Sequence, residues 1–174
     1  RDSLSYRSIY GLDNIPTIYR GTLRRVGFSK AWNVFVQLGM TDDSYKMEKS
    51  EGLTPRTFLN SFLPFKEVTS VENKLRKYFT FEDKEMYQKF EWLGMFENDE
   101  PFGIPNASPA QLLESILIKK WKLDKGDKDM LVMFHEFVSE LNGKRERITS
   151  SMVNIGEDQT YTAMSNTVGL PVAI

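Results

Sequence analysis

The sequence predicts an α+β fold, on three observations. One short extended run lies near the start, the middle section repeats its apolar residues at helical spacing, and two alternating runs flank Asn142-Gly143. In chain order these give strand, helix, several helices, hairpin and helix, with a helical lobe lying between sheet segments.

The extended run follows a polar, turn-rich opening over residues 1–16. Thr17-Ile18-Tyr19-Arg20-Gly21-Thr22-Leu23-Arg24 mixes β-branched and aromatic residues, and Gly21 interrupts it where backbone would approach a neighbour closely. A strand is predicted here. A helix follows, with Ser29 as its expected cap, Trp32, Phe35, Val36 and Met40 on one face and Gly39 weakening its end.

Thr54-Pro55 sets a cap before a first-turn proline and opens a helix carrying Phe58, Phe62 and Leu63. Thr69-x-x-Glu72 has capping-box spacing ahead of Val71, Leu75, Tyr78 and Phe79, and Asp83 precedes Met86, Tyr87, Phe90 and Leu93. These apolar stripes need one another. A Pro- and Gly-containing loop over 98–106 leads to Ser108-Pro109-Ala110-Gln111, the strongest helix start in the chain. That helix should run to about Lys122 and bury Leu112, Leu113, Ile116, Leu117 and Trp121.

After the turn Lys125-Gly126-Asp127, the runs Asp129 to Glu140 and Lys144 to Ile155 flank Leu141-Asn142-Gly143 and predict a hairpin. The apolar stretch Met130 to Phe134 predicts a first strand inside a sheet, with one face covered. Thr160 to Met164 begins a helix that Gly169 and Pro171 should interrupt, and the apolar stop at Val172-Ala173-Ile174 suggests a truncated chain.

Composition bounds the function. The 174 residues, 40% hydrophobic and 13% aromatic, suffice for one domain, or one carrying a lobe, with a real core. With 23 basic and 24 acidic residues interspersed, no broad basic face recommends nucleic acid or an anionic membrane. The absence of cysteine removes disulfides, thiolate metal sites and cysteine nucleophiles, and leaves a cytoplasmic location unopposed. No apolar run is long enough to span a bilayer, and the opening residues lack a signal-peptide core, so a soluble protein is expected.

Few residues suggest chemistry. Arg20, Arg24 and Arg25 cluster around Gly21, and strand alternation would send Arg20 and Arg24 to one face with the Thr22 hydroxyl. A guanidinium's planar fork suits carboxylates, although a solvated strand edge explains the same pattern. His135, the only histidine and the side chain whose ordinary pKa suits acid–base chemistry near neutrality, reads as a half-buried strand residue in preference to a catalytic one. Glu97-Asn98-Asp99-Glu100 lacks calcium-loop spacing and reads as a solvated loop, and no metal site is expected. Trp92 and Phe96 read as core anchors. No glycine-rich dinucleotide turn, phosphate loop or nucleophile elbow is present in the sequence.

At Arg1-Asp2-Ser3, Tyr19-Arg20-Gly21-Thr22-Leu23-Arg24, Gly27-Phe28, Trp92-Leu93-Gly94, Lys128-Asp129-Met130-Leu131-Val132-Met133 and Ala163-Met164-Ser165-Asn166-Thr167-Val168-Gly169-Leu170-Pro171, the sequence resembles the saccharopine dehydrogenase (glutamate-forming, saccharopine reductase) family. The matches occur in family order and reach both ends of the chain.

The resemblance implies a mixed-sheet substrate domain, like the C-terminal domain of glyceraldehyde-3-phosphate dehydrogenase, with an inserted all-helical lobe. Residues 1–53 would form its first part, 54–122 the lobe, 123–156 the sheet hairpin, and 157–174 a segment leading back toward a dinucleotide-binding domain absent from this chain. It also implies an NAD(P)-dependent oxidoreductase of lysine metabolism that transfers hydride between the cofactor and saccharopine, or glutamate plus aminoadipate semialdehyde. The fragment alone should be inactive, and a homodimer is a candidate assembly. Matching the family motif residue by residue assigns substrate binding to Arg1, Thr22, Leu23 and Arg24, with Arg20 held outside the site. No catalytic acid or base is assigned. Arg25-Val26 departs from the family pattern and adds a charge beside the pocket. Two other readings stay open: a non-catalytic ligand-binding or dimerisation domain, and a related reductase for carboxylated polyamines.

Overall fold

The computed structural model describes residues 5–66, 68–77 and 84–173. It is α+β: seven α-helices and a two-stranded antiparallel sheet are found among the described residues. The chain divides into two compact units, Arg1–Leu117 and Ile118–Ile174.

The first unit is helical. A short helix, α1 (Ser5–Ile9), lies in the opening that the sequence suggested was only turns. Residues 17–25 take no regular structure, which corrects the predicted strand. An extended segment becomes a strand only when a neighbour satisfies its backbone groups, and none does so among the described residues. A Cβ at Gly21 would meet only the Tyr19 ring, at 3.5 Å, an ordinary contact, so the expected close backbone approach is not observed.

Helix α2 (Phe28–Leu38) starts from Gly27 in the left-handed conformation (φ 85°), so Ser29 lies inside the helix and does not cap it. Gly39 ends it in the same conformation (φ 82°), its N–H bonded to Phe35 and Val36 carbonyls. A Cβ would strain either position.

Helix α3 (Pro55–Ser61) has the predicted Thr54 cap, completed by Thr57, whose hydroxyl accepts from the Thr54 N–H. For α4 (Val71–Arg76) the cap is Ser70, one residue later than predicted, and its Oγ accepts from Asn73 N. Glu72 is thereby freed to grip Arg56, with Nη1–Oε1 2.6 Å and Nη2–Oε2 2.9 Å. Tyr78, Phe79 and Asp83 lie outside the described residues. Helix α5 (Lys84–Trp92) follows.

Helix α6 (Pro109–Trp121) bears out the sequence reading. Ser108 Oγ accepts from Gln111 N and the Gln111 side chain accepts from Ser108 N, closing a capping box. Trp121, expected on the buried side, is exposed instead.

The helical stripes close on each other. Phe35, Met40, Phe58, Leu59, Leu75, Phe90, Met95 and Leu112 are buried in one cluster, each stabilising the fold by ~1.5–3 kcal/mol. Phe96 packs on this cluster, but Trp92 is exposed, against expectation. The loop before α6 is pinned by buried Ser50, which donates to Ile104 O (2.7 Å) and accepts from Ala107 N (2.8 Å).

In the second unit, β1 (Met130–Leu141) and β2 (Lys144–Ile155) form the predicted hairpin, paired from Met130 opposite Ile155 to Leu141 opposite Lys144. Asn142 (φ 52°) and Gly143 (φ 75°) make the turn. The predicted covered face is not found among the described residues: Phe134, Phe137, Ile148 and Val153 are all more than half exposed. A two-stranded ribbon leaves an open edge on each strand, and no layer among the described residues encloses its apolar side chains.

Helix α7 (Ala163–Ala173) runs through Gly169 and Pro171, so neither interrupts it. Pro171 removes one bond, to the carbonyl of Thr167 four residues earlier, and only two helical residues follow it. The helix start is held by Asp129, whose carboxylate accepts from Ala163 N (2.6 Å) and Met164 N (3.0 Å). Gly156 fits beside it because a Cβ there would stand 2.8 Å from Ala163 N.

Candidate functional site

The arginine-rich segment is placed between two aromatic anchors. Tyr6 and Tyr10, one helical turn apart around α1, stack at 5.8 Å, and the Arg20 guanidinium lies 3.8 Å over the Tyr6 ring. The Arg24 guanidinium sits 5.4 Å from the centroid of Phe28, the first residue of α2. A cation over a ring is attracted by the ring's negative face and keeps its in-plane N–H donors available.

Arg24 is tied to the helical core by a chain of rings. Phe28 stacks on Trp32 (6.1 Å), Trp32 meets Phe35 edge-on (5.9 Å), and Phe35 lies 4.9 Å from buried Phe90. Residues four apart share a helix face, so Phe28 and Trp32 line up by geometry alone. Arg24 Nη1 donates to the Leu23 carbonyl at 3.2 Å. Leu23 is thus engaged through its backbone while its side chain is exposed.

Among the described residues, no carboxylate pairs with Arg20 or Arg24, and no hydrogen bond links Arg20, Thr22 and Arg24 to one another. Each arginine has its own aromatic platform, where strand alternation had predicted a shared face. Arg1 lies outside the described residues. His135 is exposed on β1 beside Phe137.

Sequence reasoning missed Tyr6 and Phe28 as supports for the arginines. The four-residue step from Arg24 to Phe28 carried no helical signal, because residues 24–27 precede α2. It also missed Asp129 as the clamp on α7, whose N–H partners lie 34 and 35 residues away in the sequence, beyond any local pattern.

The family model described as saccharopine dehydrogenase C-terminal domain matches residues 1–174. The chain belongs to that family. Relatives include rat mitochondrial alpha-aminoadipic semialdehyde synthase, 33% identical over 181 residues that take in all of this chain and 19% of the rat protein. The saccharopine dehydrogenases [NADP(+), L-glutamate-forming] of Schizosaccharomyces pombe and Saccharomyces cerevisiae are 30% and 29% identical, each across all of this chain and 40% of its own length. This member of the family therefore spans between a fifth and two fifths of these relatives. No solved structure gives a significant match. No described helix is long and apolar enough to cross a membrane.

Proposed function

We propose that this chain is the substrate-binding portion of a saccharopine dehydrogenase-like oxidoreductase of lysine metabolism. The observation that carries the reading is the family match across all 174 residues. The geometry supports it: Arg24 is anchored on Phe28 but unpaired with any carboxylate among the described residues, as a substrate-carboxylate receptor should be before its ligand arrives.

In this reading Arg1, Thr22 and Arg24 hold the carboxylates of saccharopine, and Leu23 contributes backbone and packing. Arg20, stacked on Tyr6, steadies the segment. The residues of this chain bind and orient, turning an encounter into a fixed geometry at the reacting carbon. The nicotinamide cofactor, NADP by analogy with the named fungal relatives, supplies the hydride chemistry. No glycine-rich turn in this sequence suits its pyrophosphate, so its binding residues belong to the rest of the longer protein.

The same proposal covers the fold. The β1–β2 ribbon is part of a mixed sheet, of the kind found in the C-terminal domain of glyceraldehyde-3-phosphate dehydrogenase, completed by segments outside this chain. Residues 54–122 are its inserted lobe. The exposed apolar side chains of the ribbon support this completion.

The test is an assay of the full protein that contains this segment. It should oxidise saccharopine with NADP and release glutamate, while residues 1–174 alone should bind saccharopine without turnover. Turnover by the isolated chain would overturn the division of labour. Failure of the full protein to use saccharopine would overturn the reaction.

A further inference from the structure

A cavity of about 130 Å³ lies in the helical unit, lined by Pro64, Lys66, Thr69, Lys74 and Lys77. It has no part in the saccharopine reading. Among the described residues its lining includes three lysines and no acid.

Lys74 is the unusual member. It lies on α4 and is only 8% exposed, yet its described hydrogen bond goes to a neutral acceptor, Asn60 Oδ1, at 3.0 Å. An ammonium has three donors and is costly to bury without a counter-charge. Glu72, the acid on the same helix, has both carboxylate oxygens on Arg56. Among the described residues, no carboxylate pairs with Lys66, Lys74 or Lys77, and the Thr69 hydroxyl makes no hydrogen bond. Glu67 lies outside the described residues.

We propose that this cavity binds one small tetrahedral oxyanion, a phosphate ion or a single phosphoryl group, with Lys74 as the buried charge, Lys66 and Lys77 at the rim and Thr69 as a hydroxyl donor. The chemistry favours phosphate over carboxylate. Lysines act as compact point charges that surround a multiply charged ion, whereas paired recognition of a planar carboxylate is the work of arginine. The volume suits one tetrahedral group, since pockets that enclose a whole drug-sized molecule run to roughly 300–1,000 Å³.

The experiment is calorimetric titration of residues 1–174 with inorganic phosphate, and in parallel with O-phosphoserine, at an ionic strength held constant with sodium chloride. Saturable one-to-one binding of either is expected. Tighter phosphate binding identifies a free ion, and tighter phosphoserine binding identifies a phosphoryl group carried on a larger molecule. Lys74→Gln, which can keep the Asn60 contact, should weaken binding at least tenfold, whereas Lys125→Gln should leave it unchanged. If Lys74→Gln fails to fold by circular dichroism, the exposed pair Lys66→Gln/Lys77→Gln replaces it, with the same loss expected. Absence of saturable binding, or unaltered binding in a folded cavity variant, would overturn the proposal.

Discussion

The helical unit and the hairpin unit use similar apolar residues to opposite ends. Phe58, Leu59, Leu75 and Met95 have no exposed surface, while Phe134 and Phe137 on β1 keep 58% and 57% of theirs. Helices α2 to α6 each present one apolar stripe, and stripes can close on one another within a chain. A ribbon of two strands presents two faces and two edges, and needs further strands or a covering layer to enclose them. The helical unit therefore encloses its own core, whereas the ribbon's large apolar side chains stay exposed among the described residues.

Phe58→Ala should sharpen that contrast most. A cavity at this fully buried ring should cost ~3–5 kcal/mol, read by urea denaturation, whereas Phe134→Ala in the same chain should stay within ~0.5 kcal/mol. Equal losses would show that the ribbon is already packed and would break the comparison.

Next in size is Glu72→Gln, expected to cost ~1.5–3 kcal/mol at pH 7 through the lost paired hydrogen bonds to Arg56. Those bonds hold the Glu72 carboxyl at a pKa of about 2, below its ordinary 4.5. Because the folded value is depressed, the contribution is complete above about pH 4.5 and fades as pH falls toward 2. Thermal melts of the two proteins should differ by a constant margin above pH 5 and converge in acid.

Within the hairpin unit, Asp129→Ala should remove the clamp on α7 at a cost of ~1–2 kcal/mol, visible as lost helical circular dichroism. Gly143→Ala should be the mildest, ~1 kcal/mol from a Cβ forced to φ 75°, read as a small drop in melting temperature. A larger loss would mean that the turn also holds the ribbon's register.

The same contrast explains what was legible in the sequence. Thr54-Pro55, Ser108-Pro109-Ala110-Gln111 and Asn142-Gly143 are local signals, in which a few adjacent residues satisfy a backbone end or set a turn, and each matched its structure. Capping shifted by one residue at Ser70 because neighbouring hydroxyls compete for the same N–H groups. Gly27 replaced Ser29 as the start of α2 because a left-handed glycine can turn the chain there without a side-chain cap. The expected strand at residues 17–24 and the expected covered face of β1, neither found among the described residues, would both need distant partners, which local pattern does not encode. At the candidate site, residue type pointed to arginines and anions, but the aromatic supports Tyr6 and Phe28 emerged only once α1 and α2 were in place.

The central claim is that Arg24 is a receptor for substrate carboxylate. Within the chain its described hydrogen bond is a single link to the Leu23 carbonyl, so its removal should leave folding intact. The most direct measurement is the affinity for saccharopine of the full enzyme carrying Arg24→Ala. The account predicts a loss of more than tenfold with an unchanged melting temperature, and unaltered affinity in a folded variant would contradict it.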